Sequence, residues 1–226
     1  AQERAVEASL AKVGMMPFHP FVDGDLLTAA PFAAPLAPIP LVVGTTASEM
    51  ELFRDQVPSL PDDVAVRFLA RKAAAVGVTD ESAARAGLRA CGGDLVDAVA
   101  DLDLHLPTEL LARGHESRGN RVWRSRFDWQ APRLGACHAL DLPFHFGTLD
   151  VDGWRDFAGA HDPGADALSR RMRQAWRAFS TFGQPSDAVI GPWPTGQLVH
   201  LGPDARVGPD AIEQRLAVWL GEAAPA

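Results

Sequence analysis

Apolar positions along this chain fall into two kinds of pattern. Short unbroken runs alternate with longer stretches in which apolar residues recur every three or four positions. Residues 39–43 form an apolar run closed by Gly44. It is too short for a helix and predicts a buried strand. Residues 122–129 alternate with a period of two, setting Trp123, Phe127 and Trp129 on one side and Arg124, Arg126 and Asp128 on the other. That pattern predicts a second strand with one aromatic face. A last short strand is expected over 199–201.

Between the first two strands the spacing turns helical. Val66, Phe68, Leu69 and Ala73 follow Asp62 and Asp63, either of which can cap a helix. Thr79 can cap a second helix running to about residue 90. Gly92-Gly93-Asp94 opens a third segment carrying Leu95, Val99, Leu102 and Leu106, which Pro107 breaks or restarts. Residues 166–182 make a strong amphipathic helix. Leu168, Met172, Ala175, Trp176 and Phe179 share one side, Arg170, Arg171, Arg173 and Arg177 lie mostly elsewhere on a solvated face, and Gly183 ends it. A further amphipathic helix is expected over 209–220. Ahead of all this, 3–13 reads as a short helix and 18–27 as extended chain with a turn at Asp23-Gly24. Four prolines, Pro31, Pro35, Pro38 and Pro40, then mark a loop.

Strands interleaved with helices predict an α/β protein. Its 226 residues, 47% of them hydrophobic, suffice to bury a core in one or two domains. The net charge of −8, with no basic stripe, argues against a nucleic-acid partner. No run of eighteen apolar residues is present to predict a membrane span. The first residues lack a signal-peptide pattern, which leaves localisation open between cytoplasm and secretion.

Candidate chemistry centres on Gly135-Ala136-Cys137-His138-Ala139-Leu140-Asp141-Leu142-Pro143-Phe144. His138 stands among small residues that permit close approach, and an imidazole can exchange a proton near neutral pH. Upstream, the first strand runs into Gly44-Thr45-Thr46-Ala47-Ser48-Glu49, a small-residue turn that carries a carboxylate. Cys137 as a nucleophile is disfavoured because adjacent side chains diverge. A metal site from His138, Asp141 and His145 is disfavoured because Pro143 interrupts the helix that would align them. Two cysteines, Cys91 and Cys137, make neither a disulfide framework nor a zinc ligand set, and their pairing with each other is open. Phe144, Phe146 and Trp154 are read as packing residues that could also line a pocket.

These motifs in this order resemble the type-B carboxylesterases, the family of para-nitrobenzyl esterases and cholinesterases. Pro20-Phe21-Val22-Asp23-Gly24-Asp25-Leu26-Leu27 is similar to the family's approach to its acid strand. Gly44 to Glu49 resembles its acid loop and Cys137 to Phe144 its histidine loop. Trp176-Arg177-Ala178-Phe179, Gly183-Gln184-Pro185 and Trp193-Pro194 resemble its terminal helix and the loop beyond. The resemblance covers nearly the whole chain. It implies the C-terminal portion of an α/β-hydrolase fold, with Glu49 as catalytic acid and His138 as base in a serine esterase acting on small-molecule esters, without metal or organic cofactor.

The nucleophile does not follow. No Gly-x-Ser-x-Gly occurs. His115-Glu116-Ser117-Arg118-Gly119 lacks the first glycine and lies between a helical and a strand-like run, the reverse of a nucleophile elbow, so a solvated turn is expected. Residues 1–226 are therefore expected to be the C-terminal part of the hydrolase domain, to need an N-terminal half for serine and oxyanion donors, and to be inactive alone. The alternative is a non-catalytic, cholinesterase-like interaction module or an inactive truncated gene product. Retention of both Glu49 and His138 speaks against the non-catalytic module.

Overall fold

The computed structural model of the protein describes residues 22–34, 36–151 and 153–223. The helix expected over 3–13, and the first part of the extended segment at 18–27, lie outside the described residues. Asp23 does make the expected turn, its carboxylate accepting from the amides of Asp25 and Leu27.

After the proline-marked loop comes β1 (Leu41–Thr46), then a 3-10 turn (Glu51–Gln56) and helices α1 (Asp62–Ala74), α2 (Glu81–Ala90) and α3 (Leu95–Ala100). A π-helical turn (Asp101–His105) joins α3 to α4 (Leu106–Glu116), which leads into β2 (Val122–Phe127). Helices α5 (Leu142–Phe146), α6 (Trp154–Ala158) and α7 (Pro163–Phe182) follow. A small hairpin of β3 (Ser186–Asp187) and β4 (Gly191–Pro192) precedes β5 (Leu198–Leu201), β6 (Arg206–Val207) and α8 (Ala211–Leu220).

The main sheet has the order β1-β2-β5-β6 among the described residues. β1 and β2 are parallel, Leu41 opposite Val122 and Thr46 opposite Phe127. β5 joins β2 in parallel, and β6 joins β5 antiparallel. Parallel neighbours need a crossover. The one between β1 and β2 is made of α1 to α4, which packs with α8 as one apolar cluster around Val66, Leu69, Leu88, Val99, Leu106 and Trp219. A second cluster joins Trp123 and Phe127 of β2 to Leu140, Phe144, Leu168 and Met172 beneath α5 and α7.

Several local expectations are corrected. The first strand lies two to three residues later than 39–43, and Ile39 is exposed. The second strand ends at Phe127 rather than Trp129. Its arginine face is as buried as its aromatic one, because parallel strands are covered on both sides. Arg124 is bound by Glu109 (2.8 Å) and Glu116 (2.7 Å) of α4. Arg126 is bound by Asp210 (2.9 Å) at the start of α8. Pro61 rather than Asp62 or Asp63 stands at the α1 cap position, and those two carboxylates occupy the first turn, where the helix dipole favours them. Asp80 rather than Thr79 caps α2, accepting from the Ser82 amide. Pro107 restarts the helix as expected, sitting in the first turn of α4 directly after the π-helical turn, a position that tolerates a missing N–H. Helix α7 begins at Pro163, capped by Asp162, and Arg171 is buried against Asp187 rather than solvated.

Pro143 likewise opens α5 instead of interrupting it, so Asp141 and His145 come within 3.4 Å of one another. Phe144 is fully buried, but Phe146 is exposed and does not pack. Ser117 ends α4 and its hydroxyl donates to the Gly114 carbonyl, while neighbouring His115 is buried and bonded to Ile39 O, not solvated.

Candidate active site

The site is made where β1 and β2 end side by side. Ladder pairing continues past both strands. The Ala47 amide donates to Phe127 O (3.0 Å) and the Ser48 amide to Ala136 O (2.9 Å). The His138 amide then donates to Glu49 O (3.3 Å). Backbone therefore stitches the acid loop to the histidine loop before any side chain is involved. Gly135 permits the approach. Its φ is +57°, and a Cβ there would stand 2.9 Å from Ser48 Oγ. Ala139, just past the histidine, is also left-handed at φ 65°, a conformation that costs a non-glycine residue about 1–2 kcal/mol.

Glu49 and His138, 89 positions apart in sequence, meet here. His138 Nδ1 and Glu49 Oε2 are 2.7 Å apart. The other carboxylate oxygen, Oε1, accepts from the Thr46 amide at 2.7 Å. Glu49 is 4% exposed, whereas the His138 side chain is 46% exposed. A buried carboxylate held by two donors fixes the ring while the ring itself faces outward. Nδ1 makes the ring's only hydrogen bond among the described residues, which leaves Nε2 for another partner. The bond to Glu49 raises the His138 pKa above the ordinary histidine value, with burial opposing it. Phe53 flanks the ring, the two centroids 6.1 Å apart.

Neighbouring carboxylates are engaged elsewhere. Glu51 binds Arg54 at 2.8 Å, and Asp141 faces His145. Cys91 and Cys137 are both free and buried, and burial pushes both thiols up in pKa, so neither is a ready nucleophile. Among the described residues no group of three His, Cys, Asp or Glu side chains is placed to hold a metal ion, and no helix is long and apolar enough to cross a membrane. A cleft of about 150 Å³ opens beside β1, between Gly44, Ser125, His145, Trp176 and Phe179, but neither Glu49 nor His138 lines it. Thr46 and Phe53 belong to the site although sequence reading gave neither a role. Only the position of Thr46 inside the Gly-Thr-Thr turn pointed toward it.

A mostly parallel sheet flanked by helices on both faces, with an acid–histidine pair on loops beyond adjacent strand ends, defines a portion of an α/β-hydrolase. The family model described as the carboxylesterase family matches residues 2–200, and the chain belongs to that family. It is 31% identical over 196 residues to the para-nitrobenzyl esterase of Bacillus subtilis (strain 168), covering 78% of this chain and 37% of that protein. It is 30% identical over 109 residues to the acetylcholinesterase of Bungarus fasciatus, covering 45% of this chain and 17% of that one. Among solved structures, a para-nitrobenzyl esterase superposes with a TM-score of 0.73 at 26% identity, over 88% of this chain and 43% of the other. A carboxylesterase of Geobacillus stearothermophilus superposes with a TM-score of 0.71 at 25% identity, over 97% of this chain and 48% of the other. The chain thus spans less than half the length of each of these relatives.

Proposed function

We propose that this chain supplies the acid and the base of a serine-dependent carboxylic ester hydrolase. It is the C-terminal part of the hydrolase domain, and the nucleophile and oxyanion donors come from a segment outside this sequence. The observation that carries the reading is the 2.7 Å contact between His138 Nδ1 and buried Glu49, in a histidine side chain that is 46% exposed and whose Nε2 has no hydrogen-bond partner among the described residues. Glu49 holds the ring in the tautomer whose Nε2 lone pair is available, and stabilises the imidazolium once formed. His138 Nε2 takes the serine proton as the hydroxyl attacks the ester carbonyl, then gives it to the departing alcohol. It next takes a proton from water as the water oxygen attacks the acyl carbon, and returns that proton to the serine oxygen as the acid departs. No cofactor enters this sequence of steps. The substrate class is a small-molecule carboxylic ester.

The test is hydrolysis of a p-nitrophenyl ester. The chain alone is expected to stay at background, because base and acid without a nucleophile lose the covalent route. Addition of the nucleophile-bearing segment is expected to give turnover that a serine-directed phosphonate abolishes and that His138→Ala lowers mainly in kcat. Phosphonate-sensitive turnover of roughly 1 per second by the chain alone would refute the division of labour. Restored turnover indifferent to His138→Ala would refute the base.

A further inference from the structure

A second histidine–carboxylate pair lies fully buried behind the first. His105 closes the π-helical turn, and its Nδ1 lies 3.0 Å from Asp101 Oδ1. Its Nε2 lies 3.0 Å from the Thr46 carbonyl oxygen, at the end of β1. Each ring nitrogen therefore faces an oxygen acceptor. Asp101 is held in turn from α8, by Arg215 Nε and Nη2, each at 2.9 Å, and by the Trp219 indole N–H at 3.2 Å. Cys91 Sγ completes its surroundings at 3.4 Å. Burial alone would push the Asp101 carboxyl up, yet the bonds from His105 and Arg215 hold its pKa at about 2. It is a fixed anion, and His105 is oriented by it.

What this ring touches gives it a task. In a strand, the N–H and C=O of one residue point to the same side, and successive residues alternate. The Ala47 amide points to β2 and bonds Phe127 O, so both backbone groups of Thr46 point away from β2. There the N–H goes to Glu49 Oε1 and the C=O receives His105 Nε2. The Thr46–Ala47 peptide is clamped at both ends, by His105 at its oxygen and by Phe127 O at its N–H. That peptide is the first of the turn that carries Glu49.

We propose that Asp101 and His105 are positioning residues for the Glu49–His138 pair. His105 locks the Thr46–Ala47 peptide, and Thr46 presents its own N–H to the Glu49 carboxylate. The inference rests on the acid–base reading given above and adds to it a support two bonds away from the reacting groups. A buried polar network held at every member is costly to disturb, since each lost bond leaves an unsatisfied group. A purely structural network would show its loss in stability alone. A positioning network shows it in the acid–base pair as well.

The experiment is an NMR titration of the His138 ring in the purified 226-residue protein and in three variants. Asparagine can reproduce the Nδ1 donor of a histidine and glutamine the Nε2 donor. Glu49→Gln is expected to lower the His138 pKa. His105→Asn, which keeps the Asp101 contact and drops the Thr46 one, is expected to lower it in the same direction by a smaller amount. His105→Gln, which keeps the Thr46 contact, is expected to leave it close to the parent value even where thermal stability falls. A shift with Glu49→Gln but none with His105→Asn overturns the positioning role and leaves the acid–base reading standing. Equal shifts with asparagine and glutamine also overturn it. No shift with Glu49→Gln removes the acid–base reading itself. Should His105→Asn not fold, ¹⁵N-histidine spectra of the unsubstituted protein decide instead. Nε2 of His105 must carry a proton, and a bare Nε2 overturns the proposal.

Discussion

Glu49 holds His138 twice. Its carboxylate meets ring Nδ1 at 2.7 Å, and its backbone carbonyl accepts the His138 amide at 3.3 Å. The ring is thereby fixed relative to the carboxylate at both its main chain and its side chain. Substitution of the side chain alone leaves the backbone bond in place. Glu49→Gln removes the charge and keeps that backbone bond, while its amide oxygen can accept from only one of the two donors, the Thr46 N–H or the His138 ring, that the carboxylate holds together.

That probe has a pH signature. The Glu49 bond raises the His138 pKa, so the protonated ring is favoured by folding. The stability it contributes is fully present below the ordinary histidine pKa and is lost as pH rises through the raised one. Urea unfolding is expected to show His138→Ala losing more relative to the parent below about pH 6 than above about pH 8. In an assembled esterase the base must be neutral, so activity rises with pH through the raised pKa. Glu49→Gln is expected to move that limb to lower pH while reducing kcat, as read from kcat/KM against pH. An unmoved limb would show that another group controls it.

Arg124 is a buried cation between two carboxylates. Arg124→Met would leave Glu109 and Glu116 facing one another with that charge removed. Both are partly hydrated, which places the expected loss at about 3 kcal/mol, the lower part of the range for a broken buried pair. Chemical denaturation measures it. A change below about 0.5 kcal/mol would mean that solvent already screens the pair.

Gly87 in α2 lies against the fully buried Trp219 of α8. A Cβ on Gly87 would stand 2.3 Å from Trp219 Cε2, so Gly87→Ala is expected to destabilise by about 1–3 kcal/mol despite alanine's better helix propensity. Trp219→Leu costs stability of its own. In that background the added methyl should cost less, and the coupling of the two changes in a double-mutant cycle is the quantity to measure.

Ala139 bears left-handed strain one residue after the base. Ala139→Gly is expected to raise the unfolding midpoint or leave it level, relief of about 1 kcal/mol being offset by the freer unfolded chain. Ala139→Val is expected to lower it by more than a surface substitution does and to disturb the His138 ring resonances.

Glu49 and His138 were legible because each lies in a short, locally distinctive loop: small residues after an apolar strand, and a histidine between small residues and Pro143. The C-terminal ends of α2, α7 and α8 were legible from periodicity, whereas the residues that cap their starts, Asp80, Asp162 and Asp210, were not. The second tier was not. Asp101 meets Arg215 across 114 residues and Arg126 meets Asp210 across 84, and no local pattern distinguishes such pairs from solvated charges. The arginine face of β2 read only as the polar side of the strand, because alternation reports side-chain chemistry and not what covers it. His105 had only its i,i+4 spacing from Asp101 as a signal, and its other partner, a backbone carbonyl, leaves none.

The two side chains that take the backbone of Thr46 also set a limit on the sheet. β1 is an edge strand among the described residues, and an edge normally offers its whole row of amides and carbonyls to any strand that approaches. By the alternation of the pleat, Val42 and Gly44 keep theirs on that side. Thr46 has none to give, its N–H being taken by Glu49 and its C=O by His105. An incoming strand can therefore zip along β1 only as far as Gly44, whatever its sequence. The last rung is occupied from within.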